Sequence, residues 1–311
     1  MIHYRGNIRI SGTQEIVYSK WYSCHNDIPK AVCVIVHGMA EHSFRYVRFA
    51  EALTEQGFAV YSHDLPGHGR SVAYSGVTGH FADENGWSVC LEILKNFILK
   101  VQKENPGLPL LIIGHSMGSL LVRSLLAVEE IKPAAVVISG TSHPPGILVS
   151  FGKMLASHQV RRNGAQYKNK LLNKLSFENF NKRFSRGKTD FDFLSRDEAE
   201  VEKYVDDPFC GFHCTAAFYY DLFSGFALIR SHSPLEKLDK TTPVLILSGL
   251  NDAVGGFGKQ VKKVISQLQH SGFSKVSVKL YPEGRHEMLN ETNREEVTQD
   301  ILEWIRCEMN I

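Results

Sequence analysis

One stretch decides the fold: LLIIGHSMGSLLVRSLL (residues 110–126). Its first four residues are apolar and have the length of a buried strand, whereas the later leucines recur at helical spacing. The Gly-x-Ser-x-Gly motif (residues 114–118) therefore lies at a strand-to-helix junction, where flanking glycines let strand and helix approach and hold the serine in a strained, exposed turn. This context predicts that Ser116 is a nucleophile. The alternative is that Ser116 only caps the following helix.

Apolar stretches of strand length alternate with helical patterns on both sides of this junction. Buried strands are predicted at residues 31–36, 58–62 and 243–248, and further strands at residues 134–139 and 276–280. Residues 8–24 alternate apolar and polar positions around Gly12, which predicts an antiparallel hairpin at a sheet edge. The alternation of strands and helices predicts an α/β fold, with a mostly parallel sheet that helices cover on both faces.

Residues 146–232 interrupt this alternation. They contain no convincing buried strand and hold 11 of the chain's 18 phenylalanines. We therefore predict a mainly helical cap insertion at residues 146–232, between two parts of the core, residues 1–145 and 233–311. The phenylalanines either pack a small helical subdomain or line an apolar tunnel over the active site, and the two interpretations do not exclude each other.

Two residues in loops after predicted strands could activate Ser116. Asp252 and His286 each follow a strand, and the carboxyl ends of parallel strands meet at the edge where ligands bind. The chain order Ser116, Asp252, His286 is that of the α/β-hydrolase triad. We expect His286 to remove the serine proton and Asp252 to orient the imidazole. Asp64 is the alternative acid, but it precedes the serine and belongs to a different crossover.

The same edge should stabilise a developing oxyanion. The backbone N–H of Met117 is one expected donor because it follows the nucleophile, and the loop after residues 31–36 should supply the other from Met39. Gly38 and His115 flank these donors and are expected to contact substrate, with the His115 ring pointing away from the hydroxyl. Four more histidines near this edge either line the pocket or are hydrogen-bonded scaffold: His37, His42, His63 and His68.

Composition excludes several other classes of protein. The net charge is +2 and the basic residues are scattered, so no nucleic-acid partner is expected. Six dispersed cysteines suggest reduced thiols. Cys210, His213 and Cys214 are close in sequence, but no second ligand pair with zinc-like spacing accompanies them, so neither a metal nor another cofactor is expected.

The first residues are too polar for a signal peptide, and no apolar run reaches membrane-spanning length. These features predict a soluble, cytoplasmic protein without a transmembrane segment. They leave the oligomeric state open.

Three motifs carry a family resemblance. HGMAEHSFRY (residues 37–46) is similar to a His-Gly-x-x-Glu-His-x-x-Arg-Tyr loop, and DLPGHGRS (residues 64–71) is similar to an Asp-x-x-Gly-His-Gly-x-Ser turn. Together with the Ser116 motif they resemble the α/β-hydrolase superfamily, and within it the monoacylglycerol lipase and lysophospholipase group. The resemblance implies a cap over an acyl-binding site. Ala253 departs from the proline that often follows the acid in this family.

The residues and the resemblance predict a serine hydrolase that cleaves fatty-acyl esters of the monoacylglycerol or lysophospholipid class through an acyl-enzyme on Ser116. The expected partner is a small-molecule or lipid ester, and any membrane contact should be transient and made through the cap. A short-chain carboxylesterase or a serine aminopeptidase of the same fold is the alternative, because both use the same machinery. A binding protein with vestigial chemistry would lack a triad residue, and a metal hydrolase would need a ligand cluster in place of the serine.

Overall fold

Eight strands form one sheet in the computed structural model, which describes residues 1–10, 14–24, 28–126, 130–168, 172–174, 180–184, 188–231 and 239–311. The strands are β1 (Ile2–Ile10), β2 (Gln14–Tyr22), β3 (Ala31–Val36), β4 (Phe58–His63), β5 (Leu110–His115), β6 (Ala135–Ser139), β7 (Val244–Gly249) and β8 (Val276–Tyr281). Their spatial order is β1-β2-β4-β3-β5-β6-β7-β8.

The first two strands are antiparallel to each other, and β2 is antiparallel to β4, whereas all pairs from β4 to β8 are parallel. The predicted mostly parallel sheet and edge hairpin are therefore confirmed. The hairpin begins earlier than predicted, at Ile2. Its predicted break at Gly12 lies outside the described residues.

Helices cover both faces of the sheet because the central strands are apolar on both sides. Val32, Val34 and Val36 of β3 face one core, and the alternate residues of that strand face the other. The helices that contribute to the first core include α3 (Gly86–Glu104), α4 (Met117–Leu125) and α8 (Lys259–His270). Those of the second core include α1 (Val47–Glu55) and α9 (Arg294–Met309). The short helix α2 (Val72–Ser75) follows β4.

Residues 146–232, here called the insertion, connect β6 to β7. Their described part contains α5 (Gly146–Asn163), α6 (Glu198–Asp206) and α7 (Ala216–Arg230), and no strand longer than an isolated bridge. Two glycines allow close helix packing: a Cβ on Gly152 of α5 would lie 2.3 Å from the Phe223 ring of α7, and one on Gly225 would lie 2.3 Å from Trp87 of α3. Helix α7 therefore packs tightly against both α5 and the core.

Within the described ranges, every helix is too short or too polar to cross a bilayer.

Candidate active site

Ser116 lies in the turn between β5 and α4 with φ 51° and ψ −120°. A positive φ is unfavourable for a residue with a side chain, so this turn is strained. The flanking glycines are required by contact distances: a Cβ on Gly118 would lie 2.1 Å from the carbonyl oxygen of Val36, and one on Gly114 would lie 2.7 Å from that of Gly118. The close approach of α4 to β3 and β5 thus presents the serine at the sheet edge.

The structure brings Ser116, His286 and Asp252 together. Nε2 of His286 lies 2.9 Å from Oγ of Ser116, and Nδ1 lies 3.1 Å from Oδ1 of Asp252. Asp252 and His286 occupy the loops that follow β7 and β8. With the proton on Nδ1, the ring donates to the carboxylate and can accept the serine proton at Nε2.

The surroundings keep Asp252 ionised. Burial alone would raise the pKa of Asp252, but His286 and the backbone N–H groups of Gly255 and Val254 hold it below its ordinary value. The Val254 N–H donates to Oδ1 at 2.8 Å. Asp64, the alternative acid, instead accepts N–H groups of Ser43 and Arg70 and joins two loops.

The same pairing increases the basicity of His286. Burial alone would lower the pKa of His286, but the facing Asp252 carboxylate, assisted by Glu287 and Glu41, raises it above its ordinary value. An imidazole that binds a proton more strongly than usual is better suited to take one from a serine hydroxyl.

His115 lies beside this pair without replacing it. Its ring centroid is 4.8 Å from that of His286, and its Nδ1 lies 3.4 Å from Oγ of Ser139. Burial lowers the pKa of His115 to about 4, so its ring is neutral near pH 7. It forms part of the cavity wall, together with Gly38.

The other four histidines are tied into the surrounding loops and core. His37 accepts the Leu65 N–H at 3.0 Å, and His68 Nδ1 lies 2.9 Å from the Pro66 carbonyl oxygen. The His63 ring packs on Phe97 with 4.7 Å between centroids. Burial lowers the pKa of both His63 and His68 to about 3. His42 pairs with Asp207 of the insertion at 2.9 Å.

The two predicted backbone donors line the same cavity as Ser116. Met117 is the first residue of α4, so its N–H has no carbonyl one turn earlier in the helix to bind. Met39 lies in the loop after β3. Gly38 precedes it, and a Cβ on Gly38 would lie 2.8 Å from Oε1 of Glu41 and 3.2 Å from Cβ of Ser116. Only glycine leaves room for the loop to pass this close to the serine.

A buried ionic network holds that loop, and sequence reasoning missed it. Oε1 of Glu41 accepts the Gly38 N–H at 2.5 Å and the Tyr46 hydroxyl at 2.9 Å. Arg45 donates to Glu41 at 2.8 Å and to both carboxylate oxygens of Glu287 at 2.6 and 2.7 Å. The loop carrying Met39 is therefore tied to the residue next to His286. Glu41, Arg45 and Tyr46 belong to the motif at residues 37–46. Their pairing with Glu287 could not be inferred from that motif, because Arg45 and Glu287 are 242 residues apart in sequence.

The insertion also supports the histidine loop. The backbone N–H of His286 donates to the Phe193 carbonyl at 3.3 Å, and that of Glu287 donates to the Leu194 carbonyl at 2.8 Å. Nothing in the sequence pattern links these segments, because they contact through main-chain atoms. The position of His286 thus depends on the insertion as well as on β8.

A cavity of about 340 Å³ opens over Ser116 and His286. Most of the apolar side chains in its wall come from the insertion, among them Leu148, Phe180, Phe193, Leu222, Phe223 and Phe226. Other phenylalanines pack elsewhere, as Phe218 does in the main core. Phe184 and Phe191 do not line the cavity and belong to a separate small cluster of the insertion with Tyr204. The described phenylalanines therefore agree with both interpretations of the sequence, while Phe177 lies outside the described residues.

The cysteine cluster suggested by the sequence does not form. In the part of the chain that the structure describes, one group of three potential metal-ligating side chains has its ligand atoms within 4.8 Å of one another. It consists of His42, Asp207 and Cys210. Cys214 instead lies against Gly79, where a Cβ would meet its Sγ at 3.2 Å. His213 and Cys214 therefore share no ligand site with Cys210.

Known proteins resemble this chain over most of its length. It is 29% identical over 302 residues to a monoacylglycerol lipase of Mycolicibacterium smegmatis, covering 94% of each chain. It is 31% identical over 225 residues to the monoglyceride lipase of Homo sapiens, covering 72% of this chain and 66% of that protein. A highly thermostable carboxyl esterase from Bacillus coagulans has a similar structure, with a TM-score of 0.89, 26% identity and 98% coverage of both chains.

The fold and these relatives define the class of the protein as an α/β-hydrolase enzyme of the serine ester hydrolase type. Residues 27–293 match a sequence family, and the chain belongs to it: Hydrolase_4, described as "Serine aminopeptidase, S33". The predicted fold class, superfamily and enzyme class are confirmed.

Proposed function

We propose that the protein hydrolyses carboxylic esters of fatty acids, of the monoacylglycerol or lysophospholipid class, through an acyl-enzyme on Ser116. The observation that carries this proposal is the contact of 2.9 Å between Oγ of Ser116 and Nε2 of His286 beneath a cavity with mainly apolar walls. A hydroxyl paired with an oriented imidazole is the arrangement that makes serine nucleophilic near neutral pH.

In the proposed reaction, His286 takes the proton from Ser116 as Oγ attacks the ester carbonyl. Asp252 holds the imidazole in its working tautomer and stabilises the imidazolium that forms. His286 then gives the proton to the leaving alcohol, which departs and leaves the acyl group on Ser116. Water, deprotonated by the same imidazole, releases the fatty acid and restores the hydroxyl.

The backbone N–H groups of Met39 and Met117 are proposed to bind the developing oxyanion. Gly38 and His115 shape the substrate-binding wall around it, since both line the cavity beside Ser116. Fixed donors at this position stabilise the transition state more than the ground state, because the charge develops there only during attack. Glu41 supports this step by holding the Gly38 N–H.

The insertion is proposed to act as a cap that binds the acyl chain. Leu148, Leu222 and Phe226 give the cavity an apolar wall, which suits a hydrocarbon chain. Two relatives named as monoacylglycerol and monoglyceride lipases support the same substrate class. A short-chain carboxylesterase with the same machinery is the closest alternative.

The family description favours a second candidate, an aminopeptidase. Such an enzyme needs a free carboxylate to bind the α-ammonium group of its substrate. The two carboxylates that line the cavity, Glu41 and Glu287, are both engaged by Arg45 within the described structure. The site therefore fits an uncharged ester better than a peptide amino terminus.

We further propose that α5 makes transient contact with membrane surfaces. Ile147, Phe151 and Met154 are 79%, 57% and 61% exposed and recur at helical spacing. The same helix carries Lys153, Arg161 and Arg162 and no acidic residue. An exposed apolar face with only basic charges suits an anionic lipid surface. Leu148, beside this face, lines the catalytic cavity, so contact would bring lipid close to its mouth.

Two measurements test the catalytic proposal. A fluorophosphonate probe should label the native protein and fail to label Ser116→Ala; labelling that survives this substitution would refute the nucleophile. Hydrolysis of p-nitrophenyl esters from acetyl to palmitoyl should rise with chain length. A sharp optimum at acetyl would favour the short-chain esterase, and faster cleavage of aminoacyl amides would favour the peptidase.

A further inference from the structure

A second convergence of chemically reactive side chains lies where the loop after β3 meets the segment between α6 and α7. Nε2 of His42 is 2.9 Å from Oδ2 of Asp207, and these atoms and Sγ of Cys210 all lie within 4.8 Å of one another. Neither Ser116 nor His286 belongs to this cluster. None of the steps proposed for ester hydrolysis uses its side chains.

The local chain conformation brings two of the three groups together. Asp207 and Cys210 are separated by two residues in a tight turn, closed by the Cys210 N–H donating to the Asp207 carbonyl at 2.9 Å. Oδ1 of Asp207 accepts the Phe209 N–H at 2.8 Å, which leaves Oδ2 directed to His42. Two ligands separated by two residues are a common spacing in protein zinc sites.

The surroundings combine burial with a route from solvent. Cys210 is buried, and no hydrogen bond to its thiol is found among the described residues. His42 and Asp207 both line a cleft of about 780 Å³ that is separate from the catalytic cavity. An ion could therefore enter from the cleft, and a water molecule could complete its coordination from that side.

Four acidic residues and three basic residues line the cleft beside the cluster: Asp64, Glu202, Asp206 and Asp207 against Arg5, Arg70 and Lys203. Arg45 interacts electrostatically with the Cys210 thiol, but its guanidinium is also bonded to the carboxylates of Glu41 and Glu287. Its charge is thus already neutralised. Asp207 adds a further negative charge, and among the described residues its ion pair is with His42.

We propose that His42, Asp207 and Cys210 bind Zn²⁺ through nitrogen, oxygen and sulfur, with water as the fourth ligand. This mixed donor set suits zinc, whose bond lengths place tetrahedral ligand atoms about 3 to 4 Å apart. Binding replaces the hydrogen bond between His42 and Asp207 and releases the thiol proton to solvent. The bound ion would join the loop that carries Met39 to the insertion, and would regulate how firmly the two are held together.

The test is a zinc titration of the full chain, freed of metal and competed against a chromophoric chelator. We expect one zinc ion per chain, a higher unfolding temperature with zinc, and at least about a tenfold loss of affinity in both Cys210→Ser and His42→Gln. His42 belongs to the loop after β3 and Cys210 to the insertion, so one variant remains informative if the other misfolds. Circular dichroism checks the folding of each variant.

Two control variants show whether zinc binds at another site. Cys214→Ser removes a buried thiol of the same insertion, and His286→Ala removes the catalytic imidazole; both should keep the zinc affinity. The proposal is overturned if the native protein binds no stoichiometric zinc at micromolar concentrations. It is equally overturned if either control loses as much affinity as Cys210→Ser. Neither outcome bears on Ser116, so this proposal can fail while that of ester hydrolysis stands.

Discussion

The catalytic edge of the sheet and the insertion above it hold their residues in opposite ways. At the edge, a strained backbone conformation holds Ser116. Arg45, buried there, holds two carboxylates at hydrogen-bond distance. The insertion instead presents apolar side chains, and α5 leaves Ile147 79% exposed. The core loops therefore carry the polar groups, whose proposed chemistry tolerates little displacement, and the insertion adds main-chain support and most of the apolar side chains that would select the substrate.

The largest expected effect tests the chemical half of this comparison. Ser116→Ala should lower kcat for a p-nitrophenyl ester by about four to six orders of magnitude, because the nucleophile is lost. The unfolding temperature should change little. Ser142→Ala, which alters another hydroxyl of the cavity wall, is the matched control and should retain activity. Comparable losses in both variants would argue against Ser116.

The next effect concerns pH. Since Asp252 raises the pKa of His286, kcat/KM of the native enzyme should fall on acidification with a midpoint above the ordinary imidazole value of about 6.5. Asp252→Asn should lower kcat by about 10⁴-fold and move this midpoint to lower pH, because the neutral amide no longer favours the imidazolium. A pH-rate profile of each protein measures both changes, and an unmoved midpoint would contradict the assignment of Asp252.

The third effect tests the fixed ionic network. Arg45→Met leaves Glu41 and Glu287 buried without their partner. The free energy of unfolding, measured in urea, should therefore fall by about 3–5 kcal/mol. Arg48→Met is the matched control, since Arg48 pairs with Glu200 at the surface and its side chain is 44% exposed. That change should cost no more than about 1 kcal/mol. Equal losses of unfolding free energy in the two variants would mean that the buried network stabilises the fold no more than a surface ion pair.

A smaller effect tests the apolar half of the comparison. Leu148→Ser should reduce kcat/KM for decanoyl relative to butyryl esters by about tenfold, since one lost apolar contact in a pocket has this magnitude. Ile147→Ser changes the adjacent residue, which is exposed and does not line the cavity, so chain-length preference should stay as in the native protein. If both substitutions change the preference for decanoyl over butyryl esters alike, the cavity wall does not select the length of the acyl chain.

The smallest expected effect concerns the outer face of α5. Phe151→Ser combined with Met154→Ser should weaken sedimentation with anionic vesicles several-fold while changing the free energy of unfolding by less than about 0.5 kcal/mol per residue. Zwitterionic vesicles should bind the native protein more weakly than anionic ones. Binding that is indifferent to the substitutions would exclude this face as the contact surface.

Much of the catalytic edge could be predicted from local patterns. Strand length and helical spacing located the turn at Ser116, and parallel strands bring their carboxyl ends to one edge. Asp252 and His286 could therefore be assigned from the strands that precede them, without knowledge of any side-chain contact. Asp64 also follows a strand, β4, so strand position alone did not separate it from Asp252. Its position before Ser116 in the chain did, and in the structure it accepts loop N–H groups.

The insertion could not be predicted in the same way, because its contacts follow no sequence period. Apolar content alone did not distinguish Phe193, which lines the cavity, from Phe218, which packs in the core. The pairing of His42 with Asp207 joins residues 165 positions apart. Arg45 and Glu287 are farther apart still, so their contact depends on the completed fold rather than on any local propensity.

These long separations have a consequence for folding. The turn at Ser116 forms from neighbouring residues, but Ser116 contacts His286 across 170 positions. Arg45 contacts Glu287 only when both ends of the chain have docked. Contacts between distant positions carry the greater entropy of loop closure and slow folding. A nascent chain that ends before β8 contains Ser116, the proposed nucleophile, and lacks His286, the proposed base. Hydrolysis regained after dilution from denaturant would therefore report the completion of folding rather than its onset.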